Sequence, residues 1–181
     1  MRALIYIIDA LSMLITLVFL LRFWLPWFRV DFRNPLAQGI LQVTSPIINP
    51  LRRMIPAIGR VDTATILVAY LVQALTLILV ILLNGNAPGA KFVLLAAAFQ
   101  LAILSLRLFM FAIIIRIVLS WVAPQIYNPV SAILGSMTEP LLAPFRRVIP
   151  PVGGFDISPV FAIILLGALS ILLQDSLAWL L

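Results

Sequence analysis

Residues 22–62 read RFWLPWFRVDFRNPLAQGILQVTSPIINPLRRMIPAIGRVD. Residues 116–156 read RIVLSWVAPQIYNPVSAILGSMTEPLLAPFRRVIPPVGGFD, the same pattern ninety-four positions later without insertion or deletion. Fourteen of the 41 positions are identical. Apolar composition alone could match one leucine to another, but it could not bring four prolines, three arginines and an aspartate into register. The chain is therefore two copies of one unit, and its function should reside in the repeated segment.

With 64% hydrophobic and 10% charged residues and a mean hydropathy of +1.22, the chain falls among multi-spanning membrane proteins. The net charge of +6 comes from arginines placed between apolar stretches, the pattern of orientation signals. Direct nucleic-acid binding is not expected. The absence of Cys and His removes thiolate and imidazole ligands, so no metal site or cofactor is expected. No Ser/His/Asp or Cys/His set, Walker loop or dinucleotide fingerprint is present, so the chain does not read as an enzyme.

Four stretches can cross a hydrocarbon layer of about 30 Å: about 3–25, 64–84, 93–122 and 159–181. The expected fold is an all-α membrane protein of four transmembrane helices, arranged as two helical hairpins. Repeat 1 covers residues 1–90 with connector 26–63, and repeat 2 covers 91–181 with connector 123–158. A hairpin holds an even number of spans, so both copies should enter from the same side, which disfavours an inverted-repeat architecture. The connectors carry Arg22, Arg29, Arg33, Arg52, Arg53, Arg60, Arg116, Arg146 and Arg147, against Arg2 and Lys91 at the opposite ends. The connectors should face the cytoplasm and both termini should lie outside.

Asn34-Pro35 and Asn128-Pro129 read as helix N-caps followed by proline at the first helical position. An interfacial amphipathic helix should follow. Pro46, Pro50 and Pro56, with Pro140, Pro144 and Pro150 in the second copy, are expected to break each connector into short helical pieces. These pieces are expected to lie pressed onto the cytoplasmic face, with a re-entrant excursion into the bilayer as the alternative. Gly59 and Gly153 are expected to supply a backbone angle that other residues resist. Asp62 and Asp156 should cap the following span or pair with an arginine of their own connector.

The motif Arg-x4-Trp, Asn-Pro, Thr-x-Pro-x3-Pro-x-Arg-Arg-x-Ile-Pro-x2-Gly-x2-Asp, kept in both copies, resembles the YggT family of small integral membrane proteins. The resemblance covers nearly the whole chain. It implies a bacterial inner-membrane protein, with links to osmotic or potassium stress and to cell-division neighbourhoods. Plastid relatives imply a tie to cytochrome haem attachment and nucleoid organisation, but a chain without His or Cys is poorly suited to ligate haem. The resemblance supplies no catalytic residues.

The leading candidate site is the pair of basic steps Arg52-Arg53 and Arg146-Arg147, read as a platform for anionic lipid headgroups or an acidic partner segment. The alternative is that they only set topology. The structural motif around them comprises Arg22, Arg116 and the asparagines, prolines, glycines and aspartates named above. Asp9, Arg107 and Asp175 fall within spans, where a buried Arg107–aspartate pair fixing helix contacts is the favoured expectation, ahead of an ion pathway. Gln73, Gln100 and Gln174 read as interhelical hydrogen-bond donors. The expected function is a non-enzymatic membrane assembly or organising factor, with anionic lipid, a protein partner or further copies of the chain as its partners. The alternative is a small channel or transporter subunit in potassium or osmotic-stress response.

Overall fold

The structure, a computed structural model, describes residues 1–59, 61–122, 128–150 and 156–180. Six helices run through the described residues: α1 (Arg2–Trp27), α2 (Pro35–Met54), α3 (Thr63–Leu83), α4 (Ala90–Val122), α5 (Pro129–Val148) and α6 (Ser158–Leu180). Helices α1, α3, α4 and α6 are each long and apolar enough to cross a membrane, which marks a multi-pass membrane chain. They are apolar all round, so their outward faces expose Leu4, Leu14, Leu75, Phe111, Ile164 and similar side chains, as lipid contact requires. Arg60 and Gly153 lie outside the described residues.

Helix α1 packs along α3 and α4 along α6, and α3 against α4 joins the two copies. One core cluster runs through Phe19, Leu20, Ile48, Val68 and Leu104, and the other through Leu25, Phe109, Ile113, Met137 and Leu166. Both clusters take residues from both copies, so the copies share an interior. Trp24 stands at the seam, edge-on to Phe109 with ring centroids 5.2 Å apart.

The connectors differ from the sequence expectation. Pro46 and Pro50 lie inside one continuous α2, and Pro140 and Pro144 inside one continuous α5. The reason is the face each residue occupies. Ala37, Leu41, Thr44, Ile48 and Leu51 form the inward stripe at helical spacing, whereas Pro46 and Pro50 lie on the exposed side. The carbonyls they leave without an N–H therefore point outward, where water and headgroups can serve them. Pro56 and Pro150 do lie beyond the ends at Met54 and Val148. Gly59 follows with φ of +61°, a left-handed angle at which a Cβ is strained.

Candidate functional site

The repeated polar residues gather at one end of the bundle, where α2 and α5 lie against the helices they connect. Each connector starts the same way. The Asn34 side-chain Oδ1 accepts from Leu36 N–H at 2.9 Å, and that of Asn128 accepts from Val130 N–H at 2.9 Å. Both asparagines cap their helices. Asn34 also donates through Nδ2 to the Pro129 carbonyl at 2.7 Å, linking the copies.

Arg22 projects from α1 into the inward side of α2. Its Nη1 donates to the Leu41 carbonyl at 3.2 Å, to Thr44 Oγ1 at 2.6 Å and to Ser45 Oγ at 3.1 Å. Its side chain is 3% exposed, and Nε lies 3.7 Å from Asp62 Oδ2 without a hydrogen bond. Arg116 makes the corresponding bond to Thr138 Oγ1 at 2.8 Å and adds one to Glu139 Oε2 at 2.7 Å. Thr44 and Thr138 recur because a hydroxyl accepts from the arginine while donating to its own helix, at Ile40 and Leu134 respectively.

At the far ends of α2 and α5 the first arginine of each pair is held by an aspartate. Arg52 grips Asp62 with two bonds, Nε to Oδ1 at 3.2 Å and Nη2 to Oδ2. Asp62 is also the α3 N-cap, accepting from Thr65 N–H and Thr65 Oγ1. Burial, the largest influence, pushes the Asp62 carboxyl up, but the hydrogen bonds from Arg52 and Thr65 together hold it below the ordinary range. Arg146 donates through Nε to Asp156 Oδ2 at 2.7 Å and through Nη1 to Glu139. Asp156 Oδ1 accepts from Ser158 N–H at 2.9 Å, at the start of α6. Hydrogen bonding from Arg116 is the main reason that the Glu139 carboxyl is lowered.

Glu139 bridges Arg116 and Arg146, although it is no part of the shared motif; the first copy has Ser45 at that place. The two clusters are thereby unequal. The first sets two guanidinium groups, Arg22 and Arg52, against one carboxylate, whereas the second sets Arg116 and Arg146 against two. The only sequence signal was that this position differs between otherwise matched segments.

Arg53 and Arg147 are different again. Both are exposed and make no ion pair among the described residues. Each is followed by an exposed apolar side chain, Met54 and Val148, both 80% exposed.

The intramembrane charges do not form the expected pair. Asp9, Arg107 and Asp175 are all exposed, and none takes part in an ion pair among the described residues. Asp9 and Arg107 instead line a cavity of about 570 Å³ between α1, α3, α4 and α6, and Asp175 does not contribute to its lining. By repeat register Arg107 matches Met13, one turn or about 6 Å along α1 from Asp9. Gln73 does bridge helices, donating to Thr16 at 3.1 Å, while Gln174 bonds Ser170 within its own helix. Among the described residues no group of His, Cys, Asp and Glu could hold a metal ion.

The CCB3/YggT family pattern matches residues 1–83 and again residues 95–177. The chain belongs to this family. An uncharacterized protein of Pseudomonas aeruginosa is 43% identical over 178 residues, covering 97% of this chain and 90% of that one. Escherichia coli protein YggT is 35% identical over 167 residues, 92% of this chain and 86% of the relative. The chloroplastic YlmG homolog protein 2 of Arabidopsis thaliana is 41% identical over 59 residues, only 31% of this chain and 22% of its own. These names carry no enzymatic activity. No solved structure matches the CCB3/YggT chain significantly.

Proposed function

We propose that the chain is a non-enzymatic organising factor of the bacterial inner membrane that presents a paired basic platform to anionic headgroups or to an acidic segment of a partner. Its spans form two hairpins of the same orientation, with α2 and α5 lying along the cytoplasmic interface and both termini outside. The observation that carries this reading is the division of labour within each arginine pair. Arg52 and Arg146 are tied down by carboxylates, leaving Arg53 and Arg147 exposed beside Met54 and Val148. An exposed cation next to an exposed apolar group suits the boundary between headgroups and acyl chains. Both α2 and α5 are amphipathic, in contrast to the four apolar helices.

The test is the lipid retained by the full chain in nanodiscs of mixed neutral and anionic lipid, measured by mass spectrometry. At about 1 kcal/mol for each basic residue near an anionic surface, replacing Arg53 and Arg147 with alanine should reduce anionic enrichment roughly 30-fold. If enrichment is kept, crosslinking from the same two positions should capture an acidic partner, and failure of both would end the platform reading.

A further inference from the structure

The cavity between α1, α3, α4 and α6 has no role in the arginine platform and lies toward the opposite end of the spans. Its lining runs from Gln73, ten residues from either end of α3, to Val80 and Leu177 near the helix ends away from the connectors. It thus reaches the middle of the membrane-spanning region. Its volume of about 570 Å³ lies within the usual range for small-molecule sites, roughly 300–1,000 Å³.

Part of its polar lining is already engaged. Thr76 donates to Ser12 at 2.6 Å and Gln73 to Thr16 at 3.1 Å, bonds that hold α3 to α1, and Gln174 donates to Ser170 at 3.3 Å within α6. What remains is Asp9 on α1, Arg107 on α4 and the side-chain amide of Gln100, none with a side-chain hydrogen bond or ion pair among the described residues. Full charges in this setting call for a partner. A simple cation would be drawn to Asp9 but repelled by Arg107, and a simple anion the reverse. A molecule bearing both charges satisfies both walls at once.

We propose that this cavity binds a small zwitterion, a molecule carrying an ammonium group and an acid group on one short skeleton. Asp9 receives the ammonium, Arg107 receives the acid group, and Gln100 hydrogen-bonds to either. Free neutral amino acids have this chemistry, as does the headgroup of phosphatidylethanolamine. The reach of the lining to Gln73 at mid-span, deeper than a headgroup sits, favours the free molecule.

The test uses the full chain, delipidated in an uncharged maltoside detergent, and isothermal titration calorimetry with glycine, alanine and leucine, with choline and acetate as single-charge controls. Saturable binding of at least one amino acid, with no binding of choline or acetate, is the expected result. Asp9→Asn and Arg107→Gln should each weaken binding about tenfold or more, the loss of one charge-assisted contact. Asp175→Asn, outside the lining, should leave it unchanged. The selectivity measured on the unaltered chain decides the matter even where a variant misfolds. No saturable amino-acid binding, an equal response to choline or acetate, or retention of phosphatidylethanolamine alone would overturn the proposal.

Discussion

Asn34 donates a hydrogen bond to the Pro129 carbonyl at 2.7 Å, so the residue that starts α2 also holds the first turn of α5. One side chain closes a helix end and joins the copies. Among the described residues its repeat counterpart Asn128 only caps its own helix, its Oδ1 accepting from Val130 N–H at 2.9 Å.

Asn34→Ala should therefore be the more damaging of the two cap substitutions. Losing a cap costs about 0.5–2 kcal/mol, and losing the link adds about 1 kcal/mol. Thermal unfolding of the full chain in detergent should rank Asn34→Ala below Asn128→Ala, and hydrogen exchange should quicken at the start of both α2 and α5 only in the former. Equal effects would show that the link contributes nothing.

The aspartates should also be unequal. Asp62 is 5% exposed and engages Arg52 and Thr65 with Arg22 nearby, whereas Asp156 is exposed and shares Arg146 with Glu139. Asp62→Ala leaves buried Arg22 without a neighbouring carboxylate and should cost about 3–5 kcal/mol, while Asp156→Ala should cost about 1 kcal/mol or less. Combining Asp156→Ala with Glu139→Ala should exceed the sum of the single effects. Protection of residues 46–59 and 140–150 from proteolysis provides the readout, and simple additivity would argue against the shared hold on Arg146.

Acid should loosen the connectors before the spans. The Asp62, Asp156 and Glu139 carboxyls are held below their ordinary values of 3.8, 3.8 and 4.5. Their stabilising contribution is then complete above those ordinary values and is lost as pH falls through the lower folded ones. Hydrogen exchange in α2 and α5 should be flat from about pH 7 to about pH 5, after correction for intrinsic rates, and lose protection only below about pH 4. Loss of protection near neutral pH would point to other groups.

The orientation can be tested because the chain has no cysteine. Cysteine placed at Asn86, in the exposed turn after α3, and at Arg33, in the exposed segment before α2, should react with an impermeant reagent from opposite sides of the membrane. Labelling from the same side would exclude the proposed topology.

The spans were legible because length and hydropathy are local properties, and their ends match the expected ones to within about three residues. Asn34-Pro35 and Asn128-Pro129 were legible for a similar reason, since capping depends on adjacent residues. Pro46 and Pro140 were misread because a proline's effect depends on its face, and that face is set by the distant Arg22 and Arg116 engaging the other side. Arg107 was misjudged because sequence gives depth but not concavity. Packing leaves a cavity where a seam was expected. Glu139 carries no signal in the shared motif, because it stands at a position where the copies diverge and its two arginine partners meet only in the fold.

That divergence has a consequence for assembly. A duplicated unit with identical halves could receive a partner that is itself two-fold symmetric, in either of two equivalent poses. With Ser45 in one half and Glu139 in the other, the halves are handed like the two ends of a keyed connector. A partner that touched both halves would meet two different surfaces and could seat in one direction only.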